Sequence, residues 1–390
     1  MINFEFNKKC YGCAACKNIC PKNAITMEYD KDGFLIPKID KEKCIDCKLC
    51  EKVCPRLKQE ESSEDVKPIK CMFLFKKELN TLEKKTTSSG ICYEIAKNII
   101  SNGGYVCGCV WDNMVAKHIL TNDINDLDKL SGTKYVQSDI QNIYRSIKEC
   151  LNKGSKVVFF GMACQISGIR KYLGKNYDNM YYIQIICHSV PSPLIFEKYK
   201  ESVENKYHKK LVNINFRHKG RGGWLTPNTR YYFDDNTHVD VVSDPYYVGF
   251  GAGLFDRNAC SNCQMKNNFE LADIILGDAW GIDSSLFIKS RNKGASSVII
   301  NSKSGLELFE SVSKLFVVSE TDLKSVFKEN PALIKKCSIN DNRDKIINNI
   351  LNNKYDITKI LGIKHLIKNI LSKIGFLSML KKFKYIIKHR

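Results

Sequence analysis

Cysteine is the residue with which this chain can do chemistry; there are eighteen, and the first eight follow a pattern. Cys10-Tyr-Gly-Cys13-Ala-Ala-Cys16-Lys-Asn-Ile-Cys20-Pro21 recurs as Cys44-Ile-Asp-Cys47-Lys-Leu-Cys50-Glu-Lys-Val-Cys54-Pro55. Each run has the C-x2-C-x2-C-x3-C-P spacing by which bacterial proteins ligate 4Fe–4S clusters. A cubane needs four thiolates in a tetrahedral array. Three close cysteines wrap one corner, and the fourth must arrive from a distance. In a two-cluster arrangement that fourth cysteine serves the other cluster. The spacing therefore assigns Cys10, Cys13, Cys16 and Cys54 to one cluster, and Cys44, Cys47, Cys50 and Cys20 to the second. Each proline ends a short helix, because it cannot extend the helical hydrogen-bond ladder. Zinc sites usually pair two C-x2-C knuckles, which is a different pattern. Disulfide frameworks belong to small secreted chains.

Four more cysteines are candidates for a second kind of site. Cys164 and Cys187 each follow a short apolar run, Lys156–Phe160 and Tyr181–Ile186, in the turn before a helical pattern. Strand ends on one edge of an α/β sheet lie close together, and ligands gather there. A thiolate is also favoured at a helix N-terminus. Cys260-Ser-Asn-Cys263 is a knuckle that could complete a discontinuous tetrad. Spacing alone leaves two alternatives open: buried, inert thiols at Cys164 and Cys187, and zinc or nothing at Cys260 and Cys263. Cys71, Cys92, Cys107, Cys109, Cys150 and Cys337 read as small apolar packing residues.

The elements that must carry these residues divide the chain. Residues 1–57 hold the paired cysteine runs around Asp32-Gly33, a hairpin signal between alternating apolar residues. Residues 58–70 are polar and charged, a linker. From 71 to 315, strand patterns alternate with helical ones, which predicts an α/β core with a mixed sheet. Residues 316–390 are expected to be a basic helical tail. The segment carries no acidic residue after Asp356, and Lys364, Lys368, Lys373, Lys381, Lys382, Lys384 and Lys388 interleave with Ile and Leu. Such a tail suits either a peripheral membrane contact or a helix packed on the core with a solvated basic face. The formal net charge of +19 could serve nucleic acid, anionic lipid or acidic redox partners. No nucleic-acid motif accompanies it, so nucleic acid is not expected. No basic and then apolar leader opens the chain, and no apolar run reaches membrane-spanning length. The expected location is cytoplasmic, where thiols stay reduced.

Several phrases together resemble one family, the coenzyme F420 hydrogenase/dehydrogenase beta-subunit family, here behind an N-terminal two-cluster ferredoxin domain. They are Thr87–Gly90, Gly132-Thr-Lys-Tyr-Val-Gln-Ser138, Phe160-Gly-Met-Ala-Cys-Gln-Ile166 and Cys187-His-Ser-Val-Pro-Ser-Pro193. They continue with Phe216-Arg-His-Lys219, Gly223-Trp224, Cys260–Cys263, Asp273–Gly281 and Lys293–Asn301. Met162 and Ala163, Ile91 and Ala279 depart from the family's usual phrases. The resemblance implies an iron–sulfur flavoprotein that uses FAD to pass electrons between clusters and a hydride-accepting substrate such as coenzyme F420. It implies a third 4Fe–4S cluster on Cys164, Cys187, Cys260 and Cys263, flavin contacts at Ser88, Ser89, Gly90, Lys134 and Tyr135, and a redox partner such as ferredoxin or another oxidoreductase subunit. His188, beside Cys187, could exchange a proton near the flavin, or be a structural loop residue. The other functional expectation is an electron-transfer adaptor that docks a partner enzyme without turnover of its own. Some relatives stand beside surface-polysaccharide genes.

Overall fold

The computed structural model describes residues 9–57, 67–78, 85–220, 222–359 and 376–388. Most of the expected linker, and Lys364, Lys368 and Lys373 of the tail, lie outside the described residues.

The cysteine module is built on one hairpin. Strands β1 (Ile25–Tyr29) and β2 (Leu35–Ile39) pair antiparallel from Ile25↔Ile39 to Tyr29↔Leu35. The Asp30 carboxylate closes the turn by accepting from the Asp32 and Phe34 amides, both at 2.9 Å. Gly33 takes the left-handed φ of 79° that the turn requires. Short helices Ala15–Ile19 and Leu49–Lys52 flank the hairpin, one within each cysteine run.

The core is an eight-stranded mixed sheet. Its strands are β3 (Lys70–Lys76), β4 (Tyr105–Asp112), β5 (Val115–Thr121), β6 (Val157–Gly161), β7 (Met180–Ile185), β11 (Ile274–Asp278), β12 (Ala295–Ile300) and β13 (Phe316–Thr321). They lie in the order β13-β3-β12-β11-β7-β6-β4-β5. The pairs β4–β6, β6–β7 and β7–β11 are parallel, and the outer pairs are antiparallel. Alternation sorts the side chains to two faces. Met72, Leu74, Val158 and Ile183 pack under helices Ile91–Ser101 and Lys303–Ser313. Phe73, Phe75, Val157, Phe159 and Ile275 face helices Ile143–Asn152 and Ala163–Leu173. A smaller antiparallel sheet, β8 (Leu211–His218), β9 (Asn228–Phe233) and β10 (His238–Val241), packs on an aromatic cluster that includes Phe196, Tyr199, Phe216 and Tyr246.

Residues 316–321, expected to open a helical tail, form the edge strand β13 against β3. Phe316 is buried and alternate residues after it are more exposed. That period-2 pattern with β-branched residues suits a strand and not a helix. The helix Phe376–Lys388 lies on the core: Tyr385 donates to the carbonyls of Trp280 at 2.9 Å and Ile282 at 3.1 Å, and Lys388 pairs with Glu329 at 2.9 Å.

The cysteine module belongs to the same apolar cluster as the sheet, through Tyr11, Cys13, Ala14, Ala15 and Val53. Arginines from the core hold it there. Arg257 donates to the carbonyls of Cys10 at 2.9 Å and Leu35 at 3.1 Å, and to Gln137 Oε1 at 2.7 Å. Gln137 in turn pairs with both backbone groups of Leu35. Arg145 donates to the carbonyls of Asn18 at 2.7 Å and Cys20 at 2.8 Å. Arg343 reaches Asp32 at 2.7 Å and the Asp256 carbonyl at 2.6 Å. Charge-assisted bonds of this kind are the strong ones, and their buried acceptors have no water to fall back on. Arg257→Met is expected to lower stability by about 3 kcal/mol or more. Anaerobic denaturant titration of the full chain measures the change.

Candidate functional site

The paired cysteine runs fold so that the fourth cysteine of each lies with the other run. One void is lined by Cys10, Cys13, Cys16 and Cys54, and the other by Cys20, Cys44, Cys47 and Cys50. These are the two tetrads that the spacing assigned. Left-handed backbone at Ala14, Lys48 and Gly12 lets each run curl around its void. Gly12 has a left-handed φ of 71°, and a methyl there would stand 2.2 Å from Gln137 Nε2 and 3.1 Å from the Leu35 carbonyl oxygen, so a larger residue would be strained. The Gly12 and Ala24 amides donate to Cys10 Sγ and Cys20 Sγ, each at 3.3 Å. The bond to Cys10 opposes the upward push of burial on its thiol.

In the first tetrad Cys13 and Cys16 are buried and Cys10 and Cys54 half-buried. Burial pushes the Cys13 thiol up to about 12 and the Cys16 thiol well above its ordinary value, with repulsion from neighbouring cysteines adding to both. Thiols so placed are neutral at ordinary pH, and a cation among them would favour the thiolate form. Cluster iron supplies that cation, so the tetrads fit the group. Among the described residues no three His, Cys, Asp or Glu side chains converge on one point, as a mononuclear ion demands. The thiols stand around voids, which suits a group of several atoms.

Cys164 lies within electrostatic reach of Cys187, Cys260 and Cys263, the other three cysteines of the expected core set. Burial raises the Cys164 thiol well above its usual value, and Cys187, Cys263, Cys13 and Cys260 each raise it further. Cys187 is held at about 11 by burial, while the Lys266 ammonium opposes the rise. Lys266 donates to the carbonyls of Cys187 and Ala332. Cys164 opens helix Ala163–Leu173, and one turn later Gly168 faces the cysteine module. A methyl at Gly168 would stand 3.0 Å from Cys13 Sγ. The first and core tetrads are thus neighbours. Cys337, read from sequence as packing, lies within electrostatic reach of Cys187, Cys260 and Cys263.

Next to the core tetrad, the carboxyl ends of β7 and β11 meet the aromatic cluster. Ser88 and Ser89 are fastened to β12. The Ser88 hydroxyl donates to the Ala295 carbonyl, and the Ser89 and Ser296 hydroxyls lie 2.7 Å apart. Gly90, at φ 86°, begins helix Ile91–Ser101. Lys134 is committed elsewhere: its ammonium donates to the carbonyls of Lys129, Leu130 and Ser131 at 2.9, 3.2 and 2.8 Å. It therefore fixes the loop that carries Tyr135. Tyr135 packs on Tyr247 and Phe250, with ring centroids 5.3 and 5.1 Å apart, and His188 meets Phe250 edge-on at 5.6 Å. Partial burial and then Lys266 draw the His188 pKa down, which favours neutral imidazole.

Sequence reasoning gave no role to the group at the centre of this region. Arg217 is buried, with its side chain 6% exposed, and donates to Asp278 Oδ2 at 2.8 Å. Trp224 donates to Asp278 Oδ1 at 2.9 Å and stacks on Trp280 at 4.7 Å with planes 9° apart. The phrases Phe216–Lys219 and Asp273–Gly281 carried these residues. Their pairing across 61 positions of chain is a tertiary fact.

Two domains are found by comparison with known families. Residues 9–57 match the 4Fe-4S dicluster domain, and residues 154–325 match the C terminus of the coenzyme F420 hydrogenase/dehydrogenase beta subunit. Both matches lie on this one chain. Together they support an iron–sulfur electron-transfer oxidoreductase. One similar solved chain comes from the F420-reducing [NiFe] hydrogenase complex of Methanosarcina barkeri in a xenon-derivatized form. It is 17% identical, with a TM-score of 0.46, over 78% of this chain and 97% of that one. Comparison with curated proteins gives no match. No helix among the described residues is long and apolar enough to cross a membrane.

The crossed tetrads make a selective prediction. Cys54→Ser should cost the cluster of Cys10, Cys13 and Cys16, and Cys20→Ser the other. Each variant, purified anaerobically, should lose about four irons. Electron paramagnetic resonance should show that different signals are lost in the two variants. Loss of the same signal in both would contradict the crossing.

Proposed function

We propose that the chain is an iron–sulfur flavoprotein oxidoreductase with three 4Fe–4S clusters and one FAD, exchanging electrons between a protein redox partner and a hydride-accepting small molecule such as coenzyme F420. The observation that carries this reading is the contact of Cys13 with the helix that Cys164 opens. It makes neighbours of two thiol tetrads, one of them beside the strand-end region with the aromatic walls.

Cys10, Cys13, Cys16 and Cys54, Cys20, Cys44, Cys47 and Cys50, and Cys164, Cys187, Cys260 and Cys263 would hold the clusters, which when bound supply transfer of single electrons. The flavin supplies exchange between single electrons and a hydride. What the protein does is bind, orient and exclude water. Ser88, Ser89 and Gly90 offer a narrow backbone approach at the start of a helix, where N–H groups and the dipole favour phosphate. Lys134 shapes the loop behind Tyr135, whose ring can cover one face of a planar group. Lys266 stabilises negative charge at Cys187. His188 is the side chain able to accept or donate a proton at the edge of the site.

Anaerobic purification followed by iron, acid-labile sulfide and flavin assay tests the proposal. About twelve irons and one FAD per chain are expected, falling to about eight irons in Cys164→Ser. A chain with no flavin and no reduction of F420 or viologen dyes would instead be an adaptor that docks a partner enzyme.

The tail motivates a second reading. On helix Phe376–Lys388, Met379, Phe383 and Ile387 are 60%, 66% and 60% exposed at helical spacing, flanked by Lys381, Lys382 and Lys384. An apolar stripe between lysines suits the surface of an anionic bilayer. Flotation with phosphatidylserine vesicles should recover the full chain, and Phe383→Glu should abolish recovery. Equal recovery of both would end the membrane reading.

A further inference from the structure

We propose that Arg217 is the anion receptor of the strand-end region, and that its free edge binds the N1–C2=O side of the flavin ring. This inference rests on the flavin reading above.

The argument is one of hydrogen-bond accounting. A guanidinium carries five N–H groups in a fixed plane and cannot shed its charge. In Arg217, Nη1 is engaged by Asp278. Nε and Nη2 are buried and have no hydrogen-bond partner among the described residues. An unmade bond at a buried charged donor costs more than one at a neutral group. Two such atoms on one side chain are not a packing accident to be repeated lightly. They also share an edge: Nε–H and one Nη2–H point the same way, forming the two-pronged fork that takes a pair of acceptors about as far apart as carboxylate oxygens.

The surroundings say which acceptors. Asp278 cannot swing to the free edge, because Trp224 Nε1 holds one of its oxygens and Arg217 Nη1 the other. Trp280 lies with its ring centroid 5.4 Å from the guanidinium carbon, and Trp224 stacks behind it. The phenols of Tyr135 and Tyr247 are near enough to influence Arg217 electrostatically. Lys219, two residues on from Arg217, donates to the carbonyls of Ser88 and Lys293 and so ties the serine loop to the end of β8. An edge with two acceptors, attached to a flat apolar ring, matches a fork walled by indole and phenol better than a phosphate would. The flavin ring has such an edge. Two electrons and one proton take it from the neutral oxidised form to the anionic reduced form, and the negative charge settles on that edge. A fixed cation there binds the reduced form more tightly than the oxidised form.

The test uses the full chain, as wild type, Arg217→Met and Arg217→Lys. FAD is titrated into flavin-depleted protein, and the flavin potential is read spectrophotometrically against reference dyes. In Arg217→Met, affinity for reduced FAD should fall at least about tenfold more than affinity for oxidised FAD, which lowers the two-electron potential by about 30 mV or more. Arg217→Lys keeps the charge and can pair with Asp278 but has no fork, so its affinity should fall between the other two. That variant keeps the test alive if Arg217→Met fails to fold, which near-ultraviolet circular dichroism of the stacked tryptophans would report. Wild-type affinity and potential in both variants would overturn the role of Arg217 and leave the flavin reading standing. A wild-type chain that binds no FAD would overturn both.

Discussion

A thiol buried among other thiols resists ionisation, and the structure depends on overcoming that resistance at the site of the first tetrad. Desolvation and mutual repulsion both hold Cys13 and Cys16 in the neutral form. A cationic group placed among them would favour the thiolate form. The protein cannot simply expose the cysteines to water, because a group of several atoms must be kept in one geometry. It sets the module against the sheet and satisfies the carbonyls of the cysteine runs with arginines. Arg257 and Arg145 reach the very loops that curl around the voids. A positive side chain in that position serves twice. It satisfies buried acceptors, and it lowers the cost of negative charge on Cys10.

The same dependence explains why the phrase Gly132–Ser138 reaches in two directions. Tyr135 looks toward the aromatic walls, while Gln137 holds both backbone groups of Leu35 and accepts from Arg257. One loop thereby couples the cysteine module to the strand ends. Lys134 lies between these two roles and is occupied with the carbonyls before it. Its charge would have been a plain candidate for phosphate, but a lysine whose donors are already taken by its own loop contributes shape there.

At the strand ends, the arrangement of the sheet decides what is near what. Parallel β7 and β11 deliver Cys187 and Asp278 to the same edge, and β8 brings Arg217 across from the smaller sheet. Asp278 is immobilised by a tryptophan and an arginine, so Arg217 is fixed in turn, and the edge that has no partner among the described residues has a constant direction. Fixed donors without partners are useful where charge develops, because they need not reorganise when it does.

The sequence by itself determined the eight cysteines of the module and how they would divide, because three ligands of each tetrad are fixed by spacings of three residues and the crossing follows from the repeat. It also carried β6 and β7, whose short apolar runs have few other ways to be buried. The strand Phe316–Thr321 was hidden behind the basic composition that follows it, although its alternation was present. Only tertiary structure decided the rest. Parallel β6 and β7 bring Cys164 and Cys187 to one edge of the sheet, and no local spacing records that. Arg217 was visible as a residue but not as a receptor. The difference lies in which of its five donors other parts of the chain have already taken, and hydrogen-bond satisfaction is a property of the folded surroundings rather than of the residue.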